Sequence, residues 1–426
     1  MVSEKVCVEI QACRICGSTQ LQPVIDLGAQ YIASAFVGDK VPDALNQPYA
    51  LNVVRCSGPG TCGLVQLKQS INPTLLYADG YGYRSGTNES MRQNLRGIVA
   101  GIESLIDLRP GDIVVDIGCN DGTLLDSYRG HGLDKVGFDP VTSIVESVRE
   151  KGVHVVNEFF AGHLFADARP GRKARVVTSI AMFYDLERPL DFMRDVAGML
   201  ADDGVWVIEL SYLPAMLEMA SFDTICHEHL EFYALRQIEW MAERNDLAVH
   251  RVELNDTNGG SFRVFLRKEG CEWSDADRET VEAWRRREEA LHLDTDEPFA
   301  RFRDQSSAIR RDLQGLLRDL KADGKKIFVY GASTKGNTVL QYCGIDTQLV
   351  EKAADRNPEK HGRRTLGTNI PIVSEEQARA ESPDFFLVLP WHFLSGFLVR
   401  ESAFLERGGK FIIPFPRVRV VGQADA

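Results

Sequence analysis

Val114-Val115-Asp116-Ile117-Gly118-Cys119-Asn120-Asp121-Gly122-Thr123-Leu124-Leu125 is the stretch on which the reading of this chain turns. A short apolar run ends in an acid, a glycine-rich turn follows, and Leu124-Leu125 opens a helix. That order of strand, turn and helix aims the first backbone N–H groups of the helix at a ligand in the turn, the geometry of a nucleotide-cofactor loop. Glycine spacing separates the loop from two relatives. A dinucleotide fingerprint needs G-x-G-x-x-G, and here no central glycine lets the backbone approach a pyrophosphate. A P-loop needs G-x-x-x-x-G-K-[ST], which is absent.

The pattern Asp116-x-Gly118-x-x-x-Gly122 resembles motif I of class I S-adenosylmethionine-dependent methyltransferases, whose ligand has no pyrophosphate. A second apolar segment, Lys135-Val136-Gly137-Phe138, ends at Asp139, about twenty residues past Gly118, where an acid can take both ribose hydroxyls. The other reading of the loop is a buried strand-turn-helix without a ligand. The cofactor contacts expected are Asp116, Gly118, Asn120, Gly122, Thr123, Leu124, Asp139, Pro140 and Ser179, with Tyr83 and Ser85 from the segment before the loop.

Outward from this loop, 426 residues imply roughly two or three domains. A hydrophobic content of 44% and a charged content of 26% are enough for a well-filled core. The net charge of −12 argues against a nucleic-acid partner, whose phosphates need clustered Lys and Arg. No apolar run approaches a membrane span, and Met1-Val2-Ser3-Glu4-Lys5 lacks a signal-peptide core, so a cytoplasmic protein with no membrane partner is expected. Without export, nine cysteines point to metal ligation or free thiols rather than disulfides.

Four of the nine form two knuckles, Cys13-Arg14-Ile15-Cys16-Gly17 and Cys56-Ser57-Gly58-Pro59-Gly60-Thr61-Cys62-Gly63. Four thiolates close a tetrahedral zinc site with no open position, which makes such a site structural. The second knuckle is C-x5-C, with Ser57 to Gly60 as a protruding turn. A redox C-x-x-C is the competing reading, disfavoured because no βαβ pattern follows Cys13. After these comes Leu76-Tyr77-Ala78-Asp79-Gly80-Tyr81-Gly82-Tyr83-Arg84-Ser85-Gly86-Thr87-Asn88-Glu89-Ser90-Met91, dense in tyrosine, glycine and hydroxyl groups, which reads as a segment laid over a ligand, or as an irregular linker.

After Asp139, strands and helices alternate: 153–156, 174–180 and 204–209 read as strands, with Asp202-Asp203-Gly204 as a turn before the last. Cys226-His227-Glu228-His229 follows. H-E-x-x-H metal spacing is not met. In an extended segment, His227 and His229 fall on one side and Glu228 on the other, so one imidazole can face substrate while the acid orients a partner. Imidazole is the usual group for removing a carbon-bound proton beside a ketone. The stretches Glu279 to Leu293 and Phe299 to Leu320, broken near Pro298, read as helices connecting domains, and Ile309, Leu313, Leu316, Leu317 and Leu320 keep helical spacing. From Lys326 the chain resumes α/β alternation. Ser333, Thr334 and Lys335 stand where a helix N-terminus could hold a diphosphate, unless this unit is a lid that binds nothing.

Taken in order, these parts resemble S-adenosylmethionine-dependent sugar C-methyltransferases acting on nucleotide-linked keto-deoxysugars. The resemblance rests on the four cysteines, Tyr81-x-Tyr83-x-Ser85-Gly86, the Asp116 to Gly122 loop, His227-Glu228-His229, Gly259-Gly260-Ser261-Phe262-Arg263 and Tyr330-Gly331-Ala332. It implies a monomeric α/β enzyme of three domains. These are a zinc-ribbon-like domain at 1–72, a class I methyltransferase (Rossmann-like) domain at 73–298 and a second Rossmann-like domain at 299–426. It also implies S-adenosylmethionine and structural zinc as cofactors, and a nucleotide-diphosphate keto-sugar held by Arg263, Ser333, Thr334, Lys335 and Asn337. His229 is the expected base, with His227 and Glu228 positioning it, and Tyr81, Tyr83 and Tyr184 are candidate donors to an enolate oxygen. Cys226 and the Phe183-Tyr184-Asp185 stretch depart from residues seen in some members.

Overall fold

The computed structural model describes residues 6–38, 41–77, 84–129 and 132–425, so Tyr81 and Tyr83 lie outside the described residues. Ile113–Ile117 is buried at every position, as a parallel strand covered on both faces must be. It is an interior strand of a seven-stranded sheet made of Ile113–Ile117, Asp134–Phe138, His154–Val156, Ala174–Ile180, Leu200–Ser211, Leu247–Asn255 and Ser261–Lys268. Counted along the chain, their order across the sheet is third, second, first, fourth, fifth, seventh, sixth. The first five are parallel, and Ser261–Lys268 runs antiparallel to both its neighbours. The strand order reverses beside Ile113–Ile117, which opens a crevice beyond the strand carboxyl ends at that point.

Asp202-Asp203-Gly204 is not a turn that precedes a strand. It is a bulge inside Leu200–Ser211, where the register jumps from Ala174 opposite Leu200 to Val176 opposite Val205. Gly204 fits there because a Cβ would stand 3.0 Å from the carbonyl oxygens of Ala201 and Arg175.

The N-terminal unit is an antiparallel sheet of Leu21–Gln30, Tyr49–Cys56 and Val65–Leu67, and its fourth strand, Glu231–Phe232, comes from just beyond His229. Phe36–Val37 pairs with Arg364–Thr365 of the last unit. Main-chain hydrogen bonds thus stitch the first unit to both others. The last unit holds Ile327–Tyr330, Ala353–Asp355, Ile372–Ser374, Phe385–Val388, Lys410–Ile413 and Arg419–Val421, ordered third, second, first, fourth, fifth, sixth. All are parallel except the last.

Two helices, Asp275–Glu289 and Glu297–Ala322, make the connection. Pro298 lies in the first turn of the second helix, where its missing N–H costs nothing, so the break falls before it. Ile309, Leu313 and Leu317 are buried along one face, and Leu316 and Leu320 pack beside them. Among the described residues, no helix is long and apolar enough to cross a membrane.

Candidate active site

The 116–122 loop folds as its glycines require. Gly118 and Gly122 have φ of +75° and +74°, and Asn120 also has positive φ. A Cβ at Gly122 would stand 2.9 Å from Val148. The loop is tied to the second strand by Gly118 N–H and Cys119 N–H, which both donate to Phe138 O. Asp139 completes the tie: its two oxygens accept from Asn120 N–H and Val141 N–H, each at 2.9 Å. From the other side, Ser85 N–H donates to Asn120 Oδ1 and Gly86 N–H to Asp121 Oδ2.

Around this loop lies a cavity of about 320 Å³. Its wall includes Asp116, Gly118, Asn120, Leu124, Asp139, Pro140 and Ser85 from the expected set, and also Tyr77, Glu158, Phe159, Phe160, Met182, Asp185 and Glu187. Three expected contacts are not on that wall. Gly122 forms the left-handed turn ahead of the Thr123–Ser127 helix, and Thr123 Oγ1 donates to Asp121. Ser179 is fully buried and accepts from Trp206 Nε1 at 3.1 Å, because its place in the strand turns it into the core. Burial raises the Asp116 carboxyl to about 7, although Thr178 donates to it at 2.6 Å. Burial also raises Asp139, against the two N–H groups that favour its charged form. Asp139→Ala should weaken S-adenosylhomocysteine binding by about 1–3 kcal/mol, measured by calorimetry, since a buried hydrogen-bonding group and the loop's anchor are lost together. Unchanged affinity would move the ribose contact elsewhere.

The histidine cluster is not an extended segment. His229 N–H donates to Cys226 O, so 226–229 is a turn, and strand pairing resumes only at Glu231–Phe232. The two imidazoles therefore take different surroundings. His227 is buried against the first unit, with Nε2 3.3 Å from Tyr49 O and Nδ1 unpartnered. Glu228 accepts from Ser34 N–H at 3.3 Å. His229 has Nδ1 2.8 Å from Thr224 O, and the Tyr184 ring lies against it at 4.4 Å between centroids. Nδ1 must donate to that carbonyl, which leaves the Nε2 lone pair as the basic position. Burial, and then the Lys335 cation, lower the imidazole from its ordinary 6.5 to about 4.

Lys335 reaches this cluster from the last unit, donating to Asn258 O at 2.8 Å and Thr224 Oγ1 at 3.2 Å. Ser333 caps the Thr334–Tyr342 helix by accepting from Gly336 N–H. Asn337 is buried and donates to Ala33 O, and its Oδ1 has no partner. Arg263 is held inside the central unit: it pairs with Glu209 at 2.8 Å and Glu253 at 3.1 Å and donates to Asn94. Ala332 N–H donates to Asp355 Oδ2 at 2.9 Å, repeating in the last unit the tie between Asn120 and Asp139.

At the N-terminal end, the sulfur atoms of Cys13, Cys16, Cys56 and Cys62 all lie within 4.8 Å of one another, with Cys13 to Cys62 at 3.5 Å and Cys16 to Cys56 at 3.4 Å. Tetrahedral thiolates on zinc stand about 3.8 Å apart, given Zn–S bonds of about 2.3 Å. Without a cation the four could not ionise together: a hydrogen bond from Cys62 pulls Cys13 down to about 5, while burial and the Cys13 charge push Cys56 up to about 12. The donor set fits a closed structural zinc site.

Arg14, Tyr77 and Asp185 are not among the individual site residues expected from the sequence, although Tyr77 belongs to the segment read as lying over a ligand and Asp185 to the Phe183-Tyr184-Asp185 stretch. Arg14 sits inside the first knuckle and donates to Leu67 O and Ser70 Oγ, with Nε 3.6 Å from Glu187 on the cavity wall and 3.8 Å from the buried Glu231. Asp185 follows the fourth strand, a strand-end position that α/β folds reserve for ligand-facing groups, and that signal marks its stretch without singling it out. Tyr77 OH donates to Asp185 Oδ2 at 2.8 Å, and nothing in the sequence announces that pairing.

Three family models match in succession: a zinc binding domain at 13–77, a methyltransferase domain at 89–252 and a C-methyltransferase C-terminal domain at 256–416. The chain is 31% identical over 413 residues to the C-methyltransferase NovU of Streptomyces niveus, covering 97% of each protein. Among solved structures it is similar to the magnesium protoporphyrin IX methyltransferase of Synechocystis, at 16% identity, over 42% of this chain and 79% of that one, with a TM-score of 0.32. A second is the CcbJ methyltransferase of Streptomyces caelestis, at 13% identity, over 42% and 90%, with a TM-score of 0.33. At such scores these two likenesses decide nothing.

Proposed function

Since the chain belongs to the C-methyltransferase family, matched from its zinc-binding region to its C-terminal domain, we propose that it methylates carbon 3 of a 4-keto-deoxysugar carried on a nucleoside diphosphate. The protein is an S-adenosylmethionine-dependent methyltransferase with a structural zinc site. The observation that carries the finer reading is the His229 imidazole, held neutral with Nδ1 tied to Thr224 O and Nε2 left for a substrate proton. Oxygen or nitrogen methylation asks less of a base, whereas a carbon acid beside a ketone needs one that is neutral, oriented and shielded from water.

The cavity residues fit the cofactor: Gly118 and Asn120 shape the loop, Asp139 lines the cavity as the acid that would take the ribose hydroxyls, and Phe159 and Phe160 supply apolar walls. When bound, S-adenosylmethionine supplies an electrophilic methyl group. The protein's own residues do the rest. His229 removes the proton next to the ketone, Tyr184 packs the imidazole in place, and the Lys335 cation disfavours its protonated form. On this reading the diphosphate of the sugar lies near Ser333, Thr334, Lys335 and Asn337, and Tyr184 is a candidate donor to the ketone oxygen.

The test is deuterium exchange in heavy water. With S-adenosylhomocysteine bound, the enzyme should wash out the proton next to the ketone of a nucleoside-diphosphate 4-keto-6-deoxyhexose, followed by NMR. No exchange, together with methyl found on oxygen in the product, would sink carbon methylation.

A further inference from the structure

Asp185 has no part in the account so far, yet its surroundings are those of a working group. It follows directly on Tyr184, whose ring lies on His229, and it lines the same cavity as the cofactor loop. Tyr77, also on that wall, donates its hydroxyl to Asp185 Oδ2 at 2.8 Å. The second oxygen, Oδ1, is shielded from solvent and has no hydrogen-bond partner among the described residues. Among the described residues, the groups bearing on the carboxyl are the Tyr77 hydroxyl and the Glu228 carboxylate, and no cation is among them. Asp185 in turn acts on the buried Cys226 and Glu231. A charged oxygen in that position would be desolvated and unpaired, a costly state that one proton on Oδ1 removes.

We propose that Asp185 is a catalytic residue, a neutral carboxylic acid that donates its Oδ1–H to the ketone oxygen of the substrate while the enolate forms. The proposal rests on the enolate reading given above. Burial first, and then Glu228, hold the carboxyl well above the usual carboxylate range, with the Tyr77 hydrogen bond only partly offsetting them. A protonated aspartate beside a tyrosine is a known solution for stabilising an enolate at neutral pH. As His229 Nε2 takes the proton, the C–H pair becomes the new C=C bond and the carbonyl π pair moves onto oxygen, where the hydrogen bond from Asp185 strengthens. When the carbon–carbon bond to the methyl forms, the carbonyl returns, the S–C pair stays on sulfur, and the proton leaves His229 to solvent. Asp185 keeps its own proton throughout.

Two measurements decide the matter. Infrared difference spectra of 13C-aspartate-labelled enzyme with S-adenosylhomocysteine, wild type minus Asp185→Asn, should show a protonated carboxyl band at neutral pH; a carboxylate band there overturns the proposal without any sugar being present. Turnover and proton exchange on nucleoside-diphosphate 4-keto-6-deoxyhexoses should then fall roughly 10²–10³-fold in Asp185→Leu, as for a lost oxyanion donor, and only a few-fold in Asp185→Asn, whose amide still donates. Calorimetry with S-adenosylhomocysteine checks that both variants remain folded. An alkaline fall in turnover that Asp185 sets should be absent from Asp185→Asn, which a merely structural role would not cause. If the wild type exchanges the proton and Asp185→Leu exchanges it equally fast, Asp185 is not the donor and the enolate reading stands. If the wild type exchanges nothing while the acid is protonated, the enolate reading fails and takes the catalytic role with it.

Discussion

His229→Asn should lower turnover by roughly 10²–10⁴, the scale of general-base catalysis, while S-adenosylhomocysteine binds with parental affinity. Binding and chemistry separate in this variant because His229 touches the Thr224 carbonyl and the Tyr184 ring but is not on the wall of the cofactor cavity. Asparagine can still donate to Thr224 O and has no basic nitrogen. The substrate proton exchange seen with S-adenosylhomocysteine bound should stop as well; exchange at the parental rate would move the base to His227 or to the 81–83 tyrosines. The pH profile of kcat/KM gives a second check. With the imidazole lowered from 6.5 to about 4, the acidic limb should lie near 4, and a limb near 6.5 would mean that burial and Lys335 do not act on it. The same shift has a stability consequence. Between 6.5 and 4 the unfolded chain binds a proton that the folded chain refuses, so this group makes stability fall as pH drops through that window.

Loss of zinc should have the other large effect. Structural zinc contributes about 10–16 kcal/mol of apparent binding free energy in small zinc domains, comparable to a typical domain's whole stability. Here the cost reaches beyond the knuckles. Arg14 in the first knuckle faces Glu187 on the cavity wall, and Val65–Leu67 pairs with Glu231–Phe232 just after the base. Cys56→Ser, or chelation at moderate temperature, should therefore unfold the first sheet, leave well under one zinc per chain by metal analysis, and weaken S-adenosylhomocysteine binding. A soluble, metal-free and fully active Cys56→Ser enzyme would reject the site.

The sequence by itself determined whatever depends on neighbours a few residues apart. The loop from Asp116 to Gly122 was legible because positive φ at a tight turn selects glycine, and Asp139 because a second parallel strand must end one crossover later. The cysteine knuckles were legible because four thiols at such spacings have few other uses. Alternating apolar runs and helical spacing gave both parallel sheets and the connecting helices, with a bulge mistaken for a turn at Asp202 to Gly204. Tertiary structure alone decided where side chains face once distant segments meet. His227 and His229 part company because the chain turns at 226–229 to deliver Glu231–Phe232 to a sheet made from residues 21–67. Ser179 is claimed by Trp206, and Arg263 by Glu209, partners 27 and 54 positions away. Asp185 finds its hydrogen-bond partner in Tyr77, which lies 108 positions earlier. The energy of such pairs depends on burial and a few tenths of an ångström, which no local pattern of residues encodes.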